Sequence, residues 1–266
     1  MQMISGPGRD FYAIITIAQR DVLRFLRDPS RTVATLILPV LFVGLVGASF
    51  QGSFGASLGY NLMAVIFTGI FAQTLFQSTA SGIVSLIEDH ENNFSQAIFI
   101  SPISRYSIVV GKIAGESLVA FLQGIIILIF GLVIGIPFTP LSLLGMLGAG
   151  MLVCLIGGSF GLLLISLFGS QRSANQILPY LIFPQFFLAG IFNPLQNVAW
   201  YLTVLSKIVP LTYAVDLVRN AYYAGRPEYS RIIIANPLVN IVIMAGLFLV
   251  FVFIGTALFV NGERNR

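Results

Sequence analysis

The sequence predicts an all-α integral membrane protein with six transmembrane helices. Hydrophobic residues make up 57% of the 266 residues and charged residues only 9%, whereas soluble domains carry about 25% charged residues. The mean hydropathy is +0.93, and long stretches of the chain carry no charge. This composition excludes a soluble globular fold.

Four uncharged stretches locate the six spans. Residues 32–87 and 117–171 comprise 56 and 55 residues, enough for two helices each because one span needs about 20 apolar residues. The stretches 173–206 and 232–262 hold one span each. A β-barrel is rejected because its strands would alternate polar and apolar residues. The predicted spans are residues 32–50, 61–87, 103–136, 141–168, 176–192 and 238–260.

Residues 10–28 precede the first span and have the periodicity of an amphipathic helix. We expect this helix to lie along the membrane surface, with its guanidinium groups toward lipid headgroups or a cytoplasmic partner. A soluble helix without a specific packing partner is the alternative. The apolar side carries Phe11, Ile14, Ile15, Ala18, Val22, Phe25 and Leu26, and the basic residues are Arg20, Arg24, Arg27 and Arg31.

Residues 88–102 form the most polar internal segment. Acidic and amide side chains suit the N-terminus of a short helix, because they complement unpaired N–H groups and the helix dipole. Residues 94–100 are apolar in period but too short to span. Ser101 and Pro102 have the pattern of a new helix start, and in the span that follows Glu116 can pair with Lys112. The acidic and amide residues are Glu88, Asp89, Glu91, Asn92 and Asn93.

Polar residues in the second span and glycines in the fourth span indicate close helix packing. Polar side chains at membrane depth must face other helices or a cavity, and for the second span helix packing is favoured over substrate contact. Glycines permit close helix approach. The polar residues are Gln73, Thr74, Gln77, Ser78, Thr79 and Ser81, and the glycines of the fourth span are Gly145, Gly148, Gly157, Gly158 and Gly161.

Residues 193–236 are too apolar for an ordinary loop, yet no apolar piece is long enough to cross the membrane. We expect two short re-entrant or interfacial helices on the outer side, within residues 195–205 and 213–223, with aromatic side chains at the headgroup level. These aromatic residues are Trp200, Tyr201, Tyr213, Tyr222 and Tyr223.

The distribution of Lys and Arg predicts the orientation. Of the 14 basic residues, ten lie in the N-terminal segment, the connection 88–112, a short predicted loop at 169–175 and the C-terminal tail, and the turn at 137–140 has none. Basic residues mark the cytoplasmic side, so both termini and residues 88–102 are expected there, in an inner or plasma membrane. The basic residues flank spans instead of clustering, so nucleic acid is not an expected partner. The N-terminus does not fit a signal peptide and is expected to stay attached.

Catalytic motifs are missing from the sequence. Gly111-Lys112 lacks the upstream glycines and the Ser or Thr of a P-loop, and His90 has no second His or Cys as a partner. The single cysteine, Cys154, lies in an apolar span, so neither a disulfide nor a cysteine metal site is available. An enzyme is therefore disfavoured, and no cofactor is expected in this chain.

The arrangement resembles the type-2 ABC exporter permeases along essentially the whole chain. The similarity lies in six spans with both ends inside, an amphipathic helix before the first span and an apolar re-entrant region before the last. Locally, Glu88-Asp89-His90-Glu91 and the sequence from Ser101 to Arg105 are similar to the acidic-loop and "sPvSr" signature of that family. His90 stands where the family more often has Arg.

This resemblance implies a permease subunit without its own ATPase. Two permeases, as a homodimer or heterodimer, would be clamped by separate ABC ATPase subunits that bind ATP and Mg²⁺. Residues 88–100 would form the coupling helix that docks on the ATPase, and the N-terminal helix with Arg20, Arg24, Arg27 and Arg31 would rest on it as well. The implied coupling residues are Glu88, Asp89, His90, Glu91, Asn92, Asn93, Phe94, Ile98 and Arg105.

The expected function is outward movement of an amphiphilic substrate, such as a drug, a lipid or a lipid-linked glycan. A charge-free interior favours such a cargo. An ATP-independent secondary transporter or channel is the alternative, although it would normally carry ionisable residues along its route, and a scaffolding membrane protein is a third class. The expected translocation path is lined by Phe42, Val46, Gln73, Gln77, Gln185 and Phe186.

Overall fold

A computed structural model describes residues 7–52, 59–91, 105–168 and 171–264. Within these ranges the chain forms helices joined by short turns, and no residue among them is in a β-strand. The all-α prediction is confirmed. The helices are α1 (Pro7–Leu26), α2 (Pro29–Pro39, continuing as a π-helical stretch Val40–Gly47), α3 (Leu62–Glu91), α4 (Arg105–Val133), α5 (Pro140–Phe168), α6 (Gln171–Leu188), a 3₁₀ turn (Leu195–Asn197), α7 (Trp200–Ile208), α8 (Pro210–Tyr223), α9 (Tyr229–Ile232) and α10 (Pro237–Arg264).

Five helical stretches in the described part of the chain are long and apolar enough to cross a membrane. Helices α7 and α8 would together make a sixth if they formed one broken span. They meet at 94°, which also fits the predicted pair of short re-entrant helices. The five stretches are Thr32–Gly52, Leu62–Val84, Ser107–Val133, Pro140–Phe168 and Tyr229–Leu258.

Helices α6 and α4 are two of the helices whose bounds differ from the predictions. Helix α6 occupies the place of the predicted fifth span, 176–192, but runs from Gln171 to Leu188. Arg172 therefore lies in its first turn and not in an inner loop, because the polar residues that suggested a loop are compatible with a helix. The predicted third span, 103–136, ends as a helix at Val133, where Gly135 adopts a φ of +82° that stops it.

Helix α3 forms the centre of the molecule. It packs against α2, α4, α5, α6 and α8, and its Phe67, Phe71 and Phe76 are fully buried. The fourth-span glycines allow α5 to approach it closely: a Cβ at Gly161 would lie 2.5 Å from the carbonyl oxygen of Ala80. Contact of this kind between backbones is how membrane helices associate without a hydrophobic driving force.

The amphipathic helix α1 packs along α4. Ala18, Asp21 and Phe25 are buried in this contact, whereas Phe11 and Leu26 are more than half exposed. The predicted apolar side of α1 is therefore divided. One part packs on the protein, and the other is left for lipid.

The short helix α8 lies at the opposite end of the bundle from α1. Its Tyr222, and Arg226 just after it, both donate hydrogen bonds to the carbonyl oxygen of Pro137, at 2.9 and 2.6 Å, in the turn between α4 and α5. We call the end of the bundle that holds α8 and this turn the α8 end, and the opposite end, where α1 lies, the α1 end. Residues 193–236 and the turn at 137–140 thus share one end, as the sequence predicted.

Candidate functional site

The predicted coupling residues that the structure describes lie at the α1 end. Glu88, Asp89, His90 and Glu91 form the last turn of α3, so this acidic group ends a long helix, where we expected it to begin a short one. The reason is that α3 continues as a helix beyond its apolar part. Arg105 is the first residue of α4. Asn92, Asn93, Phe94 and Ile98 lie outside the described residues.

Of the four predicted basic residues of the N-terminal helix, Arg20 and Arg24 lie on α1, and Arg27 directly follows it. Arg20 pairs with Asp21 at 2.9 Å, and Arg24 and Arg27 are exposed. Arg31 lies in the first turn of α2 instead. Arg20, Arg24 and Arg27 line an open groove of about 680 Å³, together with Thr16, Gln19, Leu23 and Asp28.

A buried cluster of charges lies where α1 packs on α4. The predicted pair is confirmed: Nζ of Lys112 lies 2.9 Å from a carboxylate oxygen of Glu116. The same Nζ lies 3.1 Å from Oδ2 of Asp21, which the sequence analysis did not single out. The sequence does contain a signal for this contact, because Asp21 falls between Ala18 and Phe25 on the apolar side of α1, where a lone carboxylate requires a partner.

Two of the predicted path residues, Phe42 and Phe186, belong to an aromatic cluster between α2 and α6. The ring centroid of Phe42 lies 6.0 Å from that of Phe186 and 5.3 Å from that of Phe192. Gly190 turns the chain after α6 with a φ of +69°, a conformation that favours glycine, and this turn brings Phe192 back onto the cluster. Phe42 itself lies in the π-helical stretch, a local geometry that is frequent at functional sites.

The glutamines predicted to line the path are largely buried. Gln73 donates to Oε1 of Gln77 at 2.7 Å, and Gln185 donates to the carbonyl oxygen of Leu181 at 3.0 Å. Among the described residues the buried Oε1 atoms of Gln73 and Gln185 accept no hydrogen bond. Val46 is half-buried in the π-helical stretch.

At the α8 end, a buried arginine joins three helices. Nη2 of Arg219 donates to the carbonyl oxygens of Gly190 at 2.8 Å, Ile191 at 3.1 Å and Val65 at 3.3 Å. The first two carbonyls follow the last turn of α6, and the third belongs to α3. The sequence analysis did not single out Arg219 for this role.

A second side chain of α8, Asp216, holds the start of α10. Its carboxylate accepts hydrogen bonds from the backbone N–H groups of Ile234 at 2.8 Å and Ala235 at 3.0 Å, and from the side chain of Asn240 at 2.7 Å. Helix α8 is therefore buried at the α8 end of the bundle and holds α3, α6 and the start of α10 together there.

Of the five aromatic residues predicted at the headgroup level, Tyr213 is half-buried, and the other four divide into two groups. Trp200 and Tyr201 are exposed at 79% and 52%, in keeping with a headgroup position. The prediction is wrong for Tyr222 and Tyr223, which are buried, because α8 packs into the bundle. Nearby, Tyr60 precedes α3; burial raises the pKa of its phenol, and the Arg219 guanidinium partly opposes this shift.

The described residues hold no group of three His, Cys, Asp or Glu side chains that could bind a metal ion. What they do hold is a bundle of long apolar helices around a mostly uncharged interior, with charges collected at its ends. This is a multi-pass membrane protein.

Comparison with known proteins gives its family. Residues 12–223 match the family of the ABC-2 type transporter, and the chain belongs to that family. It is 27% identical over 213 residues to a putative transport permease, ycf38, of Cyanophora paradoxa, covering 79% of this chain and 73% of that protein. It is 28% identical over 144 residues to YbhR, a probable multidrug ABC transporter permease of Escherichia coli K12, covering 52% of this chain and 38% of YbhR. The chain is thus a transmembrane subunit of an ABC transporter, and its family implies partner ABC ATPase subunits.

Proposed function

We propose that this chain is the permease of an exporter, which moves an amphiphilic substrate outward while separate ATPase subunits bind ATP and Mg²⁺. The permease itself catalyses no reaction. The protein lies in the inner or plasma membrane of the cell, with its α1 end facing the cytoplasm. This orientation follows from the excess of Lys and Arg on that side.

The observation that carries the proposal is the aromatic and amide lining beside α6. Phe42, Phe186 and Phe192 supply apolar faces within 5.3 to 6.4 Å of one another. Gln185, in the same turn of α6 as Phe186, has a buried amide oxygen that accepts no hydrogen bond from the described residues. A surface with apolar faces and few polar groups suits a substrate that is itself mostly apolar with a polar end.

A second observation supports a path between two permease copies. Helix α6 exposes the amides Asn175 and Gln176 together with Tyr180, Phe183 and Phe187. Aromatic side chains exposed together on one helix supply a large apolar contact area for a neighbouring helix. We therefore infer that a second permease, most simply another copy of this chain, covers this face and completes the path.

Cysteine cross-linking tests this arrangement. Phe183 is 65% exposed on α6, and Phe253 is 78% exposed on α10, while the native Cys154 is buried. Phe183→Cys should form a cross-linked dimer in native membranes under mild oxidation, and Phe253→Cys should remain monomeric. Efficient dimer formation through Phe253→Cys, with none through Phe183→Cys, would show that the path does not form at α6.

Substitution within the aromatic cluster tests the path itself. Phe186→Leu removes aromatic contacts, so the half-saturating concentration of a fluorescent amphiphilic dye should change by roughly 2- to 10-fold. Phe160→Leu is the matched control, because Phe160 packs in a separate aromatic group with Phe76 and Phe251. Equal effects of the two substitutions would indicate altered packing alone.

Residues 88–104 supply the test of coupling to the ATPase. Replacing Phe94 and Glu91 by alanine should abolish transport and substrate-stimulated ATP hydrolysis, while the permease still inserts into the membrane. The assay is dye export by membrane vesicles containing both subunits, with the insertion level measured by immunoblot. Export at the wild-type rate in this double variant would contradict the proposed contact.

A further inference from the structure

The buried charge cluster of Asp21, Lys112 and Glu116 joins α1 to the start of α4. Lys112 lies between two carboxylates, 3.1 Å from Asp21 and 2.9 Å from Glu116. Each of the three side chains is only 2–3% exposed. Arg20, at the edge of the cluster, contacts the other oxygen of Asp21 at 2.9 Å and is 31% exposed.

Glycines from two helices make room for this cluster. A Cβ at Gly115 of α4 would lie 3.0 Å from Cα of Ala18 and from Oδ2 of Asp21, so α1 rests directly on the α4 backbone. On the other side, a Cβ at Gly82 of α3 would lie 2.8 Å from Cγ of Glu116. The cluster therefore links three helices, and the charged groups described in it belong to α1 and α4.

A contribution to the stability of the fold does not by itself explain why charged side chains are buried at this contact. A buried ion pair is often no more stabilising than apolar side chains of similar volume, whereas it can fix how two helices align along each other. An apolar seam on the glycine-containing face of α4 would let α1 slide or rotate. A carboxylate paired with one ammonium group allows a single alignment.

The cluster lies at the end of the bundle that is proposed to contact the ATPase. Helices α3 and α4 are the two that flank residues 92–104, the segment proposed to contact the ATPase, and α1 is the other element proposed to rest on it. We propose that Asp21, Lys112 and Glu116 are positioning residues that fix α1 to α4, so that ATPase movement displaces α1, α3 and α4 together. This inference rests on the proposed function.

The test replaces the cluster by apolar residues of similar volume, in the variant Asp21→Leu/Lys112→Met/Glu116→Leu. The permease is isolated with its ATPase, and dye transported per ATP hydrolysed is measured in proteoliposomes. We expect the complex to form and hydrolyse ATP, while this ratio falls by roughly 2- to 30-fold, the range of coupling changes seen for single networks. Thr256→Val, a buried polar substitution on α10, is the control and should leave the ratio unchanged.

A second readout follows the alignment directly. Spin labels at Tyr12 and Val110, which are 71% and 48% exposed, report the distance between α1 and α4 in the intact permease. The distribution should be narrow in the otherwise native chain and broad in the apolar triple variant. Asp21→Asn keeps the volume of the side chain while removing its charge, and it should also broaden the distribution. This single variant provides the measurement if the triple variant fails to insert.

The outcomes separate this inference from the proposed function. A wild-type complex that transports dye without ATP would reject the proposed function, whereas the spin-label distances would still report on the cluster. Narrow distributions in Asp21→Asn and the triple variant would overturn the cluster's role in alignment. An unchanged ratio of transport to ATP hydrolysis, with broadened distances, would overturn its role in coupling.

Discussion

Arg219 offers the sharpest test of how the α8 end of the bundle is held together. A single nitrogen, Nη2, donates to the carbonyls of Gly190, Ile191 and Val65 within 3.3 Å. The first two carbonyls follow the end of α6, so α6 supplies them with no donor. Arg219→Met keeps most of the side-chain volume and removes all three hydrogen bonds.

The expected loss follows from these contacts. Two carbonyls left without a donor cost about 1–3 kcal/mol each, and the loss is partly offset because a buried cation no longer has to be desolvated. We expect Arg219→Met to reduce the free energy of unfolding by about 2–4 kcal/mol. Arg219→Lys should lose less than half as much, because an ammonium group also presents several donors from one nitrogen.

The assay is thermal denaturation of the detergent-solubilised permease, followed by size-exclusion chromatography. A loss of this size corresponds to a Tm lower by about 5–10 °C. Lys207→Met, at an exposed cation on α7, is the control and should leave the Tm within about 2 °C of the wild type. Two results would refute the reasoning: Arg219→Met with the wild-type Tm, or Arg219→Lys as damaging as Arg219→Met.

Two further predictions concern matched pairs of residues, tested by the same denaturation assay. Tyr222→Phe should lower the free energy of unfolding by about 1 kcal/mol, because the Tyr222 hydroxyl donates to the carbonyl oxygen of Pro137. Tyr223→Phe should leave it unchanged, since the Tyr223 hydroxyl has no hydrogen-bond partner among the described residues. The reverse order would contradict the hydrogen bonding at α8. Gly161→Val should prevent α5 from packing on α3, because its side chain would meet the α3 backbone, whereas Gly148→Val should be tolerated, since no atom lies within 4 Å of a Cβ there. Stable, folded Gly161→Val protein would show that the two helices are less closely packed.

The apolar runs of the sequence predicted most of the fold. A span needs an uninterrupted apolar stretch, so the segments around α3, α5 and α10 could be located from composition alone. The Lys112 and Glu116 pair was also predictable, because residues four apart on a helix are neighbours. Helix α6 was placed less accurately because its first turn is polar, and polarity alone does not distinguish a loop from a helix end.

Contacts between distant parts of the chain could not be predicted. Arg219 binds a carbonyl 154 positions away in α3, and Lys112 meets an aspartate 91 positions away in α1. No local periodicity encodes such pairings. A local signal did exist for Asp21, a carboxylate on the apolar side of an amphipathic helix, and such residues are worth marking as members of buried clusters.

The central claim is that this permease moves its substrate only when partner ATPase subunits hydrolyse ATP. The most direct measurement is uptake of a fluorescent amphiphilic dye by inverted proteoliposomes containing the permease and its ATPase. Uptake is expected with ATP and Mg²⁺, none with a hydrolysis-deficient ATPase, and no change when ionophores collapse the ion gradients. Uptake by the permease alone, driven by an imposed ion gradient, would show that the chain is a secondary transporter.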